Sequence, residues 1–137
     1  MSKINPYIGF NGKTREAMTF YKDIFGGELE LQEVKGSPME QYWKSAPEGA
    51  VYHSALTDGD DIIIMGSDMS GPNGHISGNI IQLAITCSSE EEINTFFNKL
   101  AAGGEVMDPL KDQFWGAIFG AVKDKYGINW MLNYNKK

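Results

Sequence analysis

The chain has 137 residues, an apolar content of 42% and a net charge of −6. That length suits one domain, residues 1–137, with enough apolar mass for a core. No apolar run is long enough to cross a membrane, and Lys and Arg are scattered rather than striped, so neither a membrane nor a nucleic acid is expected as a partner.

A strand is expected from Ile4 to Phe10, beginning too early for a signal peptide to precede it. The spacing then predicts a helix from Lys13 to Phe25, with Ala17, Phe20, Tyr21, Ile24 and Phe25 on one stripe. Gly26-Gly27-Glu28-Leu29 closes it. The loop from Pro38 to Pro47 has no strand pattern and holds Tyr42 and Trp43. His53 lies in an alternating strand, Val51 to Leu56, and a hairpin follows around Asp58-Gly59. Residues 69–78 are rich in Gly and Pro and read as a linker, with His75 as a solvated loop residue.

The second half repeats the first. Its opening strand is Ile80 to Cys87, and its helix runs from Ser89 to Ala102. The second stripe, Ile93, Phe96, Phe97, Leu100 and Ala101, lies 76 positions after the first, and Gly103-Gly104-Glu105-Val106 closes that helix. Ser88 and Ser89, with Glu90 to Glu92 in the first turn, form its cap. The closing hairpins also match, Leu56–Met65 with Val122–Met131, at an offset of 66. The expected fold is α+β, two tandem β-α-β-β-β units: unit one 3–68, linker 69–78, unit two 79–135. The single cysteine, Cys87, excludes an internal disulfide and a cysteine zinc cage, and suits a reducing cytoplasm. It sits at a strand end without an obvious base and reads as buried and inert.

Duplicated β-α-β-β-β units with this ending resemble the vicinal-oxygen-chelate superfamily of glyoxalases, bleomycin-resistance proteins and dioxygenases. Asn5-Pro6-Tyr7-Ile8-Gly9-Phe10-Asn11-Gly12, Phe25-Gly26-Gly27, Gln113-Phe114-Trp115-Gly116 and Asp124-Lys125-Tyr126-Gly127-Ile128-Asn129-Trp130 resemble its PhnB-like branch, labelled 3-demethylubiquinone 3-methyltransferase. The resemblance implies two sheets forming a U-shaped cleft, and a homodimer, in which some members complete each cleft across the subunits. No glycine-rich strand-to-helix loop of the kind that binds an adenosyl cofactor is present, and no cofactor is expected.

Metal-bearing members of the superfamily hold a divalent ion with His or Glu on the first and last strands of each unit. Carried over, those positions are approximately Pro6, Met65, Gln82 and Met131. Two thioethers, a proline and a neutral amide do not suit Zn, Ni, Mn or Fe(II), so no metal site is expected. The expected ligand is a small organic molecule in a partly aromatic cleft. Its wall is assigned to Ile8 and Phe10 with Pro6, to Gln82 and Thr86 with Ala84, and to Trp43, His53, Trp115, Phe119 and Trp130. Asp108 and Asp112 are candidate polar anchors, with surface solvation the simpler role. Two rival readings stand beside this one. A metal-dependent lyase, isomerase or dioxygenase would use non-standard ligands such as His53, Gln82 and an acidic loop residue, and a structural dimer module would have a filled core and no pocket.

Overall fold

A computed structural model describes residues 2–69 and 74–136. Part of the Gly- and Pro-rich linker, residues 70–73, lies outside the described residues. The chain divides into two units between Ile76 and Ser77.

Unit one contains β1 (Tyr7–Gly9), α1 (Thr14–Phe25), β2 (Glu28–Glu33), β3 (Val51–Asp58) and β4 (Asp61–Ser67). Its four-stranded sheet has the order β1-β4-β3-β2, with β1 parallel to β4 and the other pairs antiparallel. A short 3-10 turn, Pro38–Gln41, lies in the β2–β3 connection. Unit two contains β5 (Leu83–Thr86), α2 (Glu90–Ala101), β6 (Glu105–Asp112), β7 (Ala117–Lys123) and β8 (Asn129–Asn135), with the matching order β5-β8-β7-β6. The fold is therefore α+β, as the duplication predicts. Among the described residues no helix is long and apolar enough to cross a membrane.

Each helix buries its stripe on one face of its own sheet. Ala17, Met18, Tyr21 and Ile24 of α1 are buried, as are Leu56 and Ile64 of the sheet. Ile93, Phe97 and Leu100 of α2 are buried, with Val122, Trp130 and Leu132. The repeated Gly-Gly pairs have a steric cause. Gly26 and Gly103 take φ of +77° and +75°, positive values that glycine adopts readily and other residues resist. A Cβ on Gly27 would lie 2.3 Å from the Thr57 carbonyl oxygen, and one on Gly104 would lie 2.2 Å from that of Lys123. Only glycine lets the chain re-enter the sheet so close to the neighbouring strand.

The helix starts differ. Ser89 caps α2, its Oγ accepting from the Glu92 N–H at 3.0 Å, while the Ser88 N–H donates to Glu92 Oε1 at 2.8 Å. Lys13 offers α1 no side-chain cap. Asp68, just past β4 and buried, does so from a distance. Its Oδ1 accepts from the Gly12 and Thr14 N–H groups at 2.9 Å and from Thr14 Oγ1 at 2.5 Å, and its Oδ2 from the Val51 N–H at 3.0 Å.

Candidate functional site

Alternation along a strand sends successive side chains to opposite faces, so each sheet has a helix face and a far face. In unit one, Ile8 stands opposite Gly66, and a Cβ on Gly66 would collide with the Phe10 ring at 2.5 Å. Phe10 is 6% exposed and packs against Tyr21 of α1 with ring centroids 6.1 Å apart. Ile8 and Phe10 therefore face the helix, and their assignment to a ligand wall is corrected. The far face carries Tyr7, His53, Ala55 and Met65, since Tyr7 is opposite Met65 and Met65 is opposite Ala55.

The correction comes from a single residue. Tyr7 pairs with Met65 and Ala84 with Met131, so the opening strands are offset by 77 and the closing strands by 66. The helices keep their offset of 76, with buried Ala17 answering buried Ile93. Unit one thus has one extra residue between strand and helix, in the turn where Asn11 and Gly12 take φ of +53° and +94°. A one-residue slip exchanges the two faces of a strand. In unit two, Ala84 and Thr86 stand opposite Met131 and Asn133, on the far face. Gln82 precedes them, and the residue that shares its place in unit one is Asn5 rather than Pro6.

The far face of unit one holds a specific polar pair. Tyr7 Oη and His53 Nδ1 are 3.0 Å apart, and the two rings stack at 5.7 Å with 29° between planes. Burial raises the Tyr7 phenol above its ordinary value, partly offset by a hydrogen bond with Ser67. The phenol is therefore protonated at neutral pH. If it donates to Nδ1, His53 presents Nε2–H to a ligand. If Nδ1 donates to the phenol oxygen, Nε2 is an acceptor. Sequence reasoning found His53 but missed Tyr7, because the strand was read one residue out.

Of the remaining candidates, Phe119 lies on the far face of unit two, opposite Asn133. Trp115 is half-exposed and meets Phe119 edge-on at 6.2 Å. Trp130 is corrected: it is 5% exposed and its Nε1 donates to Asp124 Oδ2 at 2.7 Å. Asp124 Oδ1 also accepts from the Tyr126 and Ile128 N–H groups at 2.8 and 3.1 Å. The Asp124-to-Trp130 motif is thus a stapled hairpin rather than a wall. Trp43 packs on Val34, Ala46 and Ala50 and lines a cavity with Asn11, Arg15 and Asp68, rather than standing with Tyr7 and His53. Asp112 pairs with Lys136 at 2.5 Å. Cys87 is 4% exposed, and burial, then the charge of Glu92, pushes its thiol up to about 11. It is a poor nucleophile.

The metal positions do not fit a divalent ion of the expected kind. The far faces place Met65 and Met131 at the last-strand positions, and the first-strand positions hold amides or a proline. Thioethers and neutral amides do not bind hard or borderline dications well. Among the described residues no three His, Cys, Asp or Glu side chains converge.

Two β-α-β-β-β units with matching strand order define a class of protein, and the comparison with known families agrees. Residues 3–132 match the Glyoxalase/Bleomycin resistance protein/Dioxygenase superfamily, and the chain belongs to it. Within that class its similar structures include the protein PA1353 from Pseudomonas aeruginosa, at 32% identity and a TM-score of 0.83, with 98% of each chain covered. Another is a PhnB protein from Bacillus cereus that carries a 3-demethylubiquinone-9 3-methyltransferase label, at 32% identity and a TM-score of 0.74, covering 97% of this chain and 99% of that one. The protein YjdN of Escherichia coli is 29% identical over 98% of this chain and 96% of its own length.

Proposed function

We propose that the chain binds a small organic molecule on the far face of unit one, anchored by the Tyr7–His53 pair, without a protein-held divalent metal. The carrying observation is that pair: two polar aromatic side chains, hydrogen-bonded to each other, on a sheet face that no helix of their own unit covers. Around them, Ala55 and Met65 supply apolar contact. A pocket of this kind needs few polar groups, each firmly placed. Family membership supports the reading at the level of fold, and the unsuitable residues at the metal positions support its metal-free form. The same reading takes the working assembly to be a homodimer, the state that the resemblance implies.

The test is a thermal-shift screen of small aromatic and polar metabolites, run on the wild type, Tyr7→Phe and His53→Ala. A ligand at 100 times its dissociation constant stabilises by about 2.7 kcal/mol. Stabilisation of the wild type that shrinks in both variants is expected. Equal stabilisation of all three proteins removes the anchor from the site. Native mass spectrometry after exposure to Mn, Fe(II), Ni and Zn should show subunit pairs without stoichiometric metal. One ion per chain, lost in His53→Ala, overturns the metal-free reading.

A further inference from the structure

We infer that unit one carries a second binding site, for an organic cation with an apolar body, in a cavity between the start of α1 and the β2–β3 connection. The cavity has a volume of about 660 Å³, within the range of small-molecule sites. Neither Tyr7 nor His53 lines it, so it is separate from the site proposed above.

The charges on its wall select the ligand. Arg15 contributes a guanidinium that is already committed: it pairs with Glu33 and donates to the Gly49 carbonyl at 3.2 Å. Asp68 has its carboxylate oxygens engaged by three backbone N–H groups and the Thr14 hydroxyl. The lining carboxylates left over are Glu16 and Glu48, which have no ion-pair partner among the described residues. Trp43 supplies the apolar wall. Packing on Val34, Ala46 and Ala50 fixes it, while its N–H bonds to the Met39 and Glu40 carbonyls at 3.2 and 3.3 Å hold its backbone. The side chain is half-buried, so it is both held and reachable. An indole that lines the same cavity as two carboxylates without an ion pair attracts a cation through its ring quadrupole and through charge. An anion meets the same carboxylates as repulsion, and Arg15, the cation among the described lining residues, is already paired with Glu33.

The test is an NMR titration of the full chain with benzyltrimethylammonium. Benzoate and benzyl alcohol serve as anionic and neutral controls of similar ring size. The cation should cause saturable shifts at the Gly12 and Gly49 amides and the Trp43 indole N–H, and the controls should not. The variant Glu16→Gln/Glu48→Gln alters only exposed side chains and should keep the fold while weakening the cation roughly fivefold or more. The proposal fails if benzoate binds as well as the cation, or if the cation gives no saturable shift. It also fails if the shifts map to Tyr7, His53 or unit two, or if the double variant binds like the wild type.

Discussion

Replacing Asp124 with alanine should be among the most damaging single changes to unit two. The carboxylate is 3% exposed and accepts from two backbone N–H groups and one indole N–H. Stranding the buried indole N–H costs about 1–3 kcal/mol, and losing each partly exposed backbone bond costs about 0.5–1.5 kcal/mol. The sum predicts a loss of about 2–6 kcal/mol, a large share of the roughly 5–15 kcal/mol that holds a domain folded. Trp130→Phe removes the donor and leaves part of the indole's buried space empty, and should cost about 2–4 kcal/mol. The two changes share one bond, so the double variant should lose less than the sum, by about 1–2 kcal/mol. Urea unfolding followed by far-UV circular dichroism measures all three values. A loss under about 1 kcal/mol for Asp124→Ala, or strict additivity in the cycle, would refute the staple. Trp130→Phe should also leave binding at the Tyr7–His53 face unchanged, since Trp130 sits on the helix side of its sheet.

Gly104→Ala should cost about 2–4 kcal/mol in the same assay, because its Cβ meets a backbone carbonyl that no side-chain rotation can move. Gly59→Ala should cost only about 1 kcal/mol, since its neighbourhood is open and only the positive φ resists. Cys87 should resist iodoacetamide at mildly alkaline pH in the native protein and react once urea unfolds it. Its folded thiol is raised from 9.0 to about 11, so the native state holds the proton that the unfolded chain releases. Stability should therefore fall as pH climbs from 9.0 to about 11, and more steeply than in Cys87→Ala. For any ligand found in the screen, Tyr7→Phe should weaken binding roughly tenfold, the scale of one lost hydrogen bond. Unchanged affinity would mean that the phenol only supports the histidine ring.

Much of the fold was legible because it is written twice. The helix stripes, the closing Gly-Gly pairs and the hairpins recur, and each recurrence has a physical cause visible in both units. Two features stayed hidden. The cap of α1 comes from Asp68, whose partner Thr14 lies 54 residues earlier in the chain, and no local motif announces such a bond. The face of β1 was misread because a single offset of 76 was carried from the helices into the strand, where the register is 77. Helix periodicity tolerates such a slip; a strand does not, since its period of two turns an error of one into a reversal. That reversal puts Ile8 and Phe10 on the face that Tyr7 occupies and separates His53 from its partner.

The duplication also separates what the fold requires from what it does not. At equivalent places on the two far faces, Ala55 answers Ala121 and Met65 answers Met131, each pair facing each other across its own sheet. These residues serve both units alike and need no functional explanation. By the same register, Tyr7 answers Ala84 and His53 answers Phe119. Unit two forms its sheet without a hydroxyl or an imidazole at either position, so the architecture does not demand them. A hydrogen-bonded aromatic pair that one unit keeps and its twin folds without is where a ligand's polar group has the most to gain, and where a variant should change binding more than stability. His53→Phe puts this directly: it installs the residue that unit two already carries. The variant should unfold at nearly the wild-type urea midpoint while losing the ligand, and a large loss of stability would show that the pair is part of the scaffold.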